Sequence, residues 1–235
     1  MSAFRAPTAC RASLTVRYGE DAMSESSTLL NTADHPAEDS LVDRKSEFIG
    51  DACHADTLAE ALAFVDTIRE RHPKARHVAY AVICGGQGQM TERMSDDGEP
   101  SGTAGKPILD VLRANGLTDC VVTVTRYFGG ILLGSGGLTR AYSSAASLAI
   151  KAAELARIVP CVRFRLTVQY PQLDKLSHLI VQSGGSQSNE QYTDVVTLDA
   201  LIAQEQEDSF VSRVVEAFRG SVHAEKIGVE HQAIQ

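Results

Sequence analysis

Cys120-Val121-Val122-Thr123-Val124-Thr125-Arg126-Tyr127-Phe128-Gly129-Gly130-Ile131-Leu132-Leu133-Gly134-Ser135-Gly136-Gly137-Leu138 is the most informative stretch of this 235-residue chain. Residues 120–125 form a β-branched run typical of a buried strand. Arg126 to Gly130 close that strand, and Gly134-Ser135-Gly136-Gly137 lead into a helix. Its apolar positions Leu138, Ala141, Tyr142, Ala145, Ala149 and Ala152 keep a helical period. The side chains on that face are mostly small, so the helix is expected to lie close against a sheet. A strand, a glycine-rich loop and a helix in this order predict an α+β domain.

Toward the N-terminus the same alternation continues. Ser95-Asp96-Asp97-Gly98-Glu99-Pro100-Ser101-Gly102-Thr103-Ala104-Gly105-Lys106-Pro107 is too rich in Gly, Pro and Asp to be regular before its end, and two helical turns over Ile108–Ala114 stop at Asn115-Gly116. Val78–Cys84 is almost wholly apolar and reads as a strand covered on both faces, ended by Gly85, Gly86 and Gly88. Thr57 to Glu60 has capping-box spacing, and Leu58, Leu62, Val65 and Ile68 share one face of a helix that stops at His72-Pro73. Glu47–His54 reads as an edge strand, so order is expected to begin near Ser46.

Beyond Val159-Pro160 a second unit is expected. Val162, Phe164, Leu166 and Val168 alternate with Arg163, Arg165, Thr167 and Gln169, the pattern of a half-buried strand. A helix from Pro171 to Gly184-Gly185 follows, then strands near 186–191 and 195–202, a helix carrying Phe210, Val214 and Phe218, and a last strand at Val222–Val229. The order βαββαβ is the split-βαβ, ferredoxin-like pattern. The expected division is a flexible leader over 1–43, a first domain over 44–158 and a second over 159–235.

Charge and composition limit the function. The net charge of −8 argues against a protein that coats DNA or RNA, although residues 44–158 carry 13 basic and 13 acidic side chains and leave room for a local basic site. No apolar run approaches the roughly 18 residues of a membrane span. Five cysteines without a CxxC pair fit a reducing, cytoplasmic setting. Arg5, Arg11 and Arg17 without a nearby acid imitate a transit peptide, but no amphipathic period supports one, and Met23 is an alternative start to Met1.

Two segments carry chemistry, and several familiar motifs are missing. Pro100 and Pro107 stand where a P-loop around Gly105-Lys106 needs Gly and Ser or Thr, and Thr139 replaces the last glycine of a dinucleotide fingerprint. There is no GxSxG, HExxH or CxxC. Asp96, Asp97 and Glu99 could begin a Mg²⁺ site or serve as an acid and base pair, but turn-forming carboxylates also cap nearby backbone N–H groups. Lys106, Arg126, Tyr127, Gly129, Gly130, Gly134, Gly136, Gly137 and Arg140 have the composition of an anion site at a helix start, suited to phosphate or an RNA backbone. The competing reading of these glycines is tight turns and close packing. His54, His72 and His77 show no ligand spacing, and Cys84 and Cys120 are expected to be buried.

The two long motifs, 95–107 and 126–142, together with Lys45-Ser46-Glu47-Phe48-Ile49 and Ala75-Arg76-His77, resemble the signature of the YigZ/IMPACT family. The resemblance implies a first domain with the fold of ribosomal protein S5 domain 2 and a second similar to a domain of elongation factor G. Eukaryotic IMPACT proteins regulate translation by restraining a starvation-sensing kinase with the help of an additional RWD domain. The first 43 residues here do not read as such a domain, so that role is not carried over. No catalytic residues come with the resemblance. The expectation is a non-enzymatic regulator of translation that holds RNA or a ribosomal or translation-factor surface through the glycine-rich basic site and needs no cofactor. The alternatives are a Mg²⁺-dependent enzyme on a phosphorylated or nucleotide substrate and a regulatory module with a protein partner.

Overall fold

A computed structural model describes residues 26–85 and 90–234. The chain divides between Val159 and Pro160 into two compact units. Residues 1–25, with the arginine-rich start and Met23, and Gly86 and Gly88 lie outside the described residues.

The first unit is built on a five-stranded antiparallel sheet. Its strands are β2 (Ala37–Asp43), β3 (Ser46–His54), β4 (His77–Cys84), β5 (Thr91–Ser95) and β6 (Cys120–Tyr127), in the order β2-β3-β6-β4-β5. Strand β6 is central, which is why its β-branched run is buried from Cys120 to Arg126. Side chains alternate across the sheet. Ala52, Ala79, Ala81, Ile83, Cys120, Val122 and Val124 share one core with α2 (Gly105–Ala114) and α3 (Ser135–Ala152). Cys53, Val78, Tyr80, Val82, Cys84 and Val121 share the other with α1 (Leu58–Arg71). The small residues of α3 serve close approach, since a Cβ at Gly50 of β3 would stand 2.6 Å from the Ala145 carbonyl oxygen.

Several expectations are corrected. The leader is not flexible through residue 43: β1 (Ser27–Leu29) pairs with residues 155–157, and β2 pairs residue for residue with β3. The charged AEDSLVD segment is a strand because it lies at the sheet edge, where its acids face water while Ala37 is buried. Order therefore begins well before Ser46. Strand β5, Thr-Glu-Arg-Met-Ser, is likewise an exposed edge that lacks apolar alternation. Helix α2 starts at Gly105 rather than Ile108, because Asp96 caps it from nine residues away. Helix α1 is as expected, with Thr57 Oγ1 accepting from the Glu60 N–H at 3.2 Å.

Strand β7 (Leu155–Val168) runs across the division into the second unit, and with α4 (Leu173–Gln182), β8 (Ser186–Tyr192), β9 (Val196–Ala203), α5 (Glu207–Phe218) and β10 (Glu225–Ile234) it follows the expected βαββαβ order. The strand order is β8-β9-β7-β10. Strand β7 starts seven residues before the expected Val162, and β10 runs to Ile234. A 3₁₀ turn at Tyr170–Gln172 precedes α4, so Pro171 opens that turn and not the helix itself. Val162, Phe164, Leu166 and Val168 meet Leu176, Ile180, Phe210 and Val214 in the core. On the other face of the sheet Asp199 is held by Arg165 (3.0 Å) and Asn189 (2.8 Å). Burial alone would raise its pKa, but these partners and Arg163 outweigh it and hold it below the usual value.

Candidate functional site

Both sequence-predicted segments belong to the first unit, and they use their polar groups differently. Asp96 Oδ1 accepts from the Ala104 and Gly105 N–H groups (3.0 and 2.8 Å), and Oδ2 from that of Gly102 (2.8 Å), which closes the N-terminus of α2. Burial would raise the Asp96 pKa, but the three N–H bonds prevail and hold it below its ordinary value. Asp97 accepts from the Val78 N–H (2.7 Å) and from Arg69 Nη2 (2.9 Å). Glu99 is buried, and its Oε1 takes Arg126 Nη1 at 2.6 Å and the Tyr142 hydroxyl at 2.9 Å. The three carboxylates thus have separate partners and do not converge. Among the described residues no group of three or more His, Cys, Asp or Glu could hold a metal ion.

Arg126 is 7% exposed. It continues the inward alternation of Cys120, Val122 and Val124 and lies over the rings of both Phe48 and Phe128, 5.5 and 5.4 Å from their centroids. Its charge is answered by Glu99, while its Nε has no hydrogen-bond partner among the described residues. Burial and the Glu99 carboxylate push the Tyr142 hydroxyl well above its usual pKa, so it stays a donor. His77 closes the cluster: its Nδ1 lies 2.7 Å from the Asp97 carbonyl oxygen, which can only accept, and its Nε2 is 4.0 Å from Glu99 Oε1. Tyr127, next in sequence, points to the opposite face and bonds His72 Nδ1 at 3.0 Å. Arg126 and Tyr127 are therefore not brought together, and Arg126 is no surface cation.

The glycine-rich loop is different. Gly129 lies against the turn between β2 and β3, and a Cβ there would overlap the Lys45 carbonyl. Gly134 starts α3 at φ +73, a conformation that favours glycine, and supplies no side-chain cap. The first helical bond is Leu138 N–H to Gly134 C=O (2.9 Å). The N–H groups of Ser135, Gly136 and Gly137 precede it and, among the described residues, have no acceptor. Gly130, Gly134 and Gly136 border open space. Arg140, one turn into α3, is exposed and forms no ion pair among the described residues, whereas Lys106 is paired with Asp110 at 2.7 Å.

Sequence reasoning missed two neighbours of this loop as site residues. Arg44 and Lys45 form the β2–β3 turn, both exposed and both at positive φ (45 and 65), and Arg44 Nη1 donates to the Leu132 carbonyl at 3.2 Å. Their signal was weak because hairpin turns of this kind usually carry Asn-Gly. Phe128 is 46% exposed, and Ile131 and Leu132 are exposed beside it.

Other chemistry-bearing residues are closed off. Thr28 Oγ1, His54 and Asp56 are linked at 2.9 and 3.0 Å like a hydroxyl–imidazole–carboxylate relay, but the Thr28 hydroxyl is wholly buried and also bonds the Asp119 carbonyl. Burial raises the thiols of Cys53 and Cys84 to about 12 and that of Cys120 well above its ordinary value, so all three are protonated and unreactive at neutral pH.

Comparison with known proteins bears on this arrangement. The Impact N-terminal domain matches residues 44–150, and a domain of unknown function (DUF1949) matches residues 166–221. IMPACT family member YigZ of Escherichia coli is 36% identical over 180 residues, which cover 76% of this chain and 88% of that protein. The chain belongs to the IMPACT family. Both motif loops of this IMPACT family member fall inside the Impact N-terminal match. A crystal structure described as that of a hypothetical protein aligns at a TM-score of 0.61 with 33% identity, covering 88% of this chain and 99% of the other. The Protein IMPACT homolog of Saccharomyces cerevisiae is 28% identical over 120 residues, 49% of this chain and 46% of that one. Among the described residues no helix is long and apolar enough to cross a membrane.

Proposed function

We propose that this protein regulates translation in the cytoplasm by binding the translation machinery, RNA or a ribosomal surface, through the loop 128–137 and the start of α3. One observation carries the reading: among the described residues the N–H groups of Ser135, Gly136 and Gly137 have no acceptor at a helix start without a side-chain cap, and Arg140, one turn on, has no ion-pair partner. Such a start attracts anions, and phosphate oxygens are suited to accept from it. Family membership supports the same reading through the resemblance to eukaryotic IMPACT proteins, which regulate translation. Burial of Arg126 changes its part from direct phosphate contact to support of the loop. Lys106, exposed but paired with Asp110, is at most an auxiliary contact.

The test is co-sedimentation with ribosomes across a salt series. Wild-type protein is expected to bind at low salt and to release as salt rises, and Arg140→Ala is expected to weaken the interaction and flatten its salt dependence. Equal binding by wild type and variant, or no binding by wild type at low salt, rejects the site.

A further inference from the structure

Phe128 sits at the join of the two families of groups just described. One face of its ring is backed by the Arg126 guanidinium, which is held by Glu99 and also lies over the ring of Phe48. The backing is rigid because every member is buried, while Phe128 itself is 46% exposed. Gly129, the next residue, touches the backbone of Lys45, and Arg44 holds the Leu132 carbonyl, so the basic turn and the ring share one surface. Neither Arg44 nor Lys45 forms an ion pair among the described residues. Asp43 and Glu47 bracket the turn and keep the local charge modest.

We infer that Phe128 is a stacking platform for a base of single-stranded RNA, with Arg44 and Lys45 holding the phosphates that flank it. This rests on the proposed binding of the translation machinery and names the chemical class that the loop takes. A half-exposed aromatic ring held in one orientation, next to cations that lack carboxylate partners, is what sequence-tolerant single-strand binding requires. A guanidinium under the ring draws on its π-electrons and favours an electron-rich purine on the open face. A protein partner would use Ile131 and Leu132 in the same place, but it would leave the turn cations and the free N–H groups of α3 without a matching polyanion.

The experiment is fluorescence anisotropy with a labelled oligoadenylate of about 12 nucleotides, a length within single-strand site sizes, and with an abasic oligomer of equal charge. Ribosome co-sedimentation is run in parallel on the same preparations. Wild type is expected to prefer oligoadenylate to the abasic oligomer. Phe128→Leu should lose about tenfold in oligoadenylate affinity and most of the preference at an unchanged salt slope, and Phe128→Tyr should restore both. Arg44→Gln together with Lys45→Gln should instead flatten the salt slope by about 1.4. Matching thermal unfolding curves establish that each variant is folded. If wild type binds oligoadenylate and Phe128→Leu binds it equally well, the platform is overturned while the loop reading stands. If wild type sediments with ribosomes but ignores both oligomers, the occupant is a protein surface and the inference fails alone. Binding to neither removes both.

Discussion

Residues 95–107 and 128–137 offer similar signals in sequence, glycines and polar groups ahead of a helix, yet α2 begins closed and α3 begins open. Asp96 supplies the first loop with an internal anion for the N–H groups of Gly102, Ala104 and Gly105. The second loop contains no acid, and the first N–H groups of α3 have no acceptor among the described residues. Glu99 turns inward to Arg126, and that ion pair supports the exposed Phe128. The acidic loop thus builds the frame that the glycine-rich loop stands on. A helix start becomes a candidate anion site only where the chain has not already provided the anion.

The largest effect should come from the frame. Arg126→Ala leaves the Glu99 carboxylate buried without its cation and is expected to cost about 3–5 kcal/mol, read from urea unfolding. A loss no greater than that of an ordinary surface substitution would mean that the two loops are not linked through this pair.

The next concerns a carboxylate that lacks the donors Asp96 enjoys. Asp51 is fully buried on the α1 face, with Arg71 on Oδ1 (3.1 Å) and, among the described residues, no partner on Oδ2. Burial, with Glu38 adding to it and Arg71 opposing, raises its pKa from 3.8 to about 6. The folded state therefore binds this proton more tightly than the unfolded chain does. Stability from this group rises as pH falls from about 6 toward about 4, on the order of 2–3 kcal/mol in all. Asp51→Asn should remove that rise from denaturation curves taken across the window. An unaltered pH profile would show that Asp51 is solvated after all.

Asp96 has the opposite sign. Its folded pKa is depressed, so its contribution is present above the unfolded pKa and is lost as pH falls through the folded one. Asp96→Ala should cost about 1–2 kcal/mol at neutral pH, the size of a helix N-cap, and the deficit should shrink in acid. A constant deficit at every pH would point to packing and not to the capping charge. The smallest effect on folding belongs to the open loop: Arg140→Ala should change stability by no more than about 0.5 kcal/mol in the same assay. A larger loss would place Arg140 in the frame with Arg126.

Periodicity carried much of the fold. Helices α1 and α3, the buried strands β4 and β6 and the βαββαβ order were legible because each buries a regular apolar face. Strands β2 and β5 were not, since edge strands owe their existence to hydrogen bonds from β3 and β4 and carry little apolar signal of their own. At the site, glycine composition marked the loop as a candidate, and the structure leaves Gly130, Gly134 and Gly136 bordering open space. Arg126 was expected at an anion site and is buried instead, and its position in the alternation Cys120, Val122, Val124 was a signal that it turned inward.

The sequence by itself determined the two-unit α+β organisation, the family and the positions of both motif loops, because these follow from local period, turn chemistry and motif identity. Only the tertiary structure decided which loop is closed and which is open. That depends on where Asp96, Glu99 and the Arg44–Lys45 turn arrive in space, and these meet their partners through chain reversals that no local pattern records.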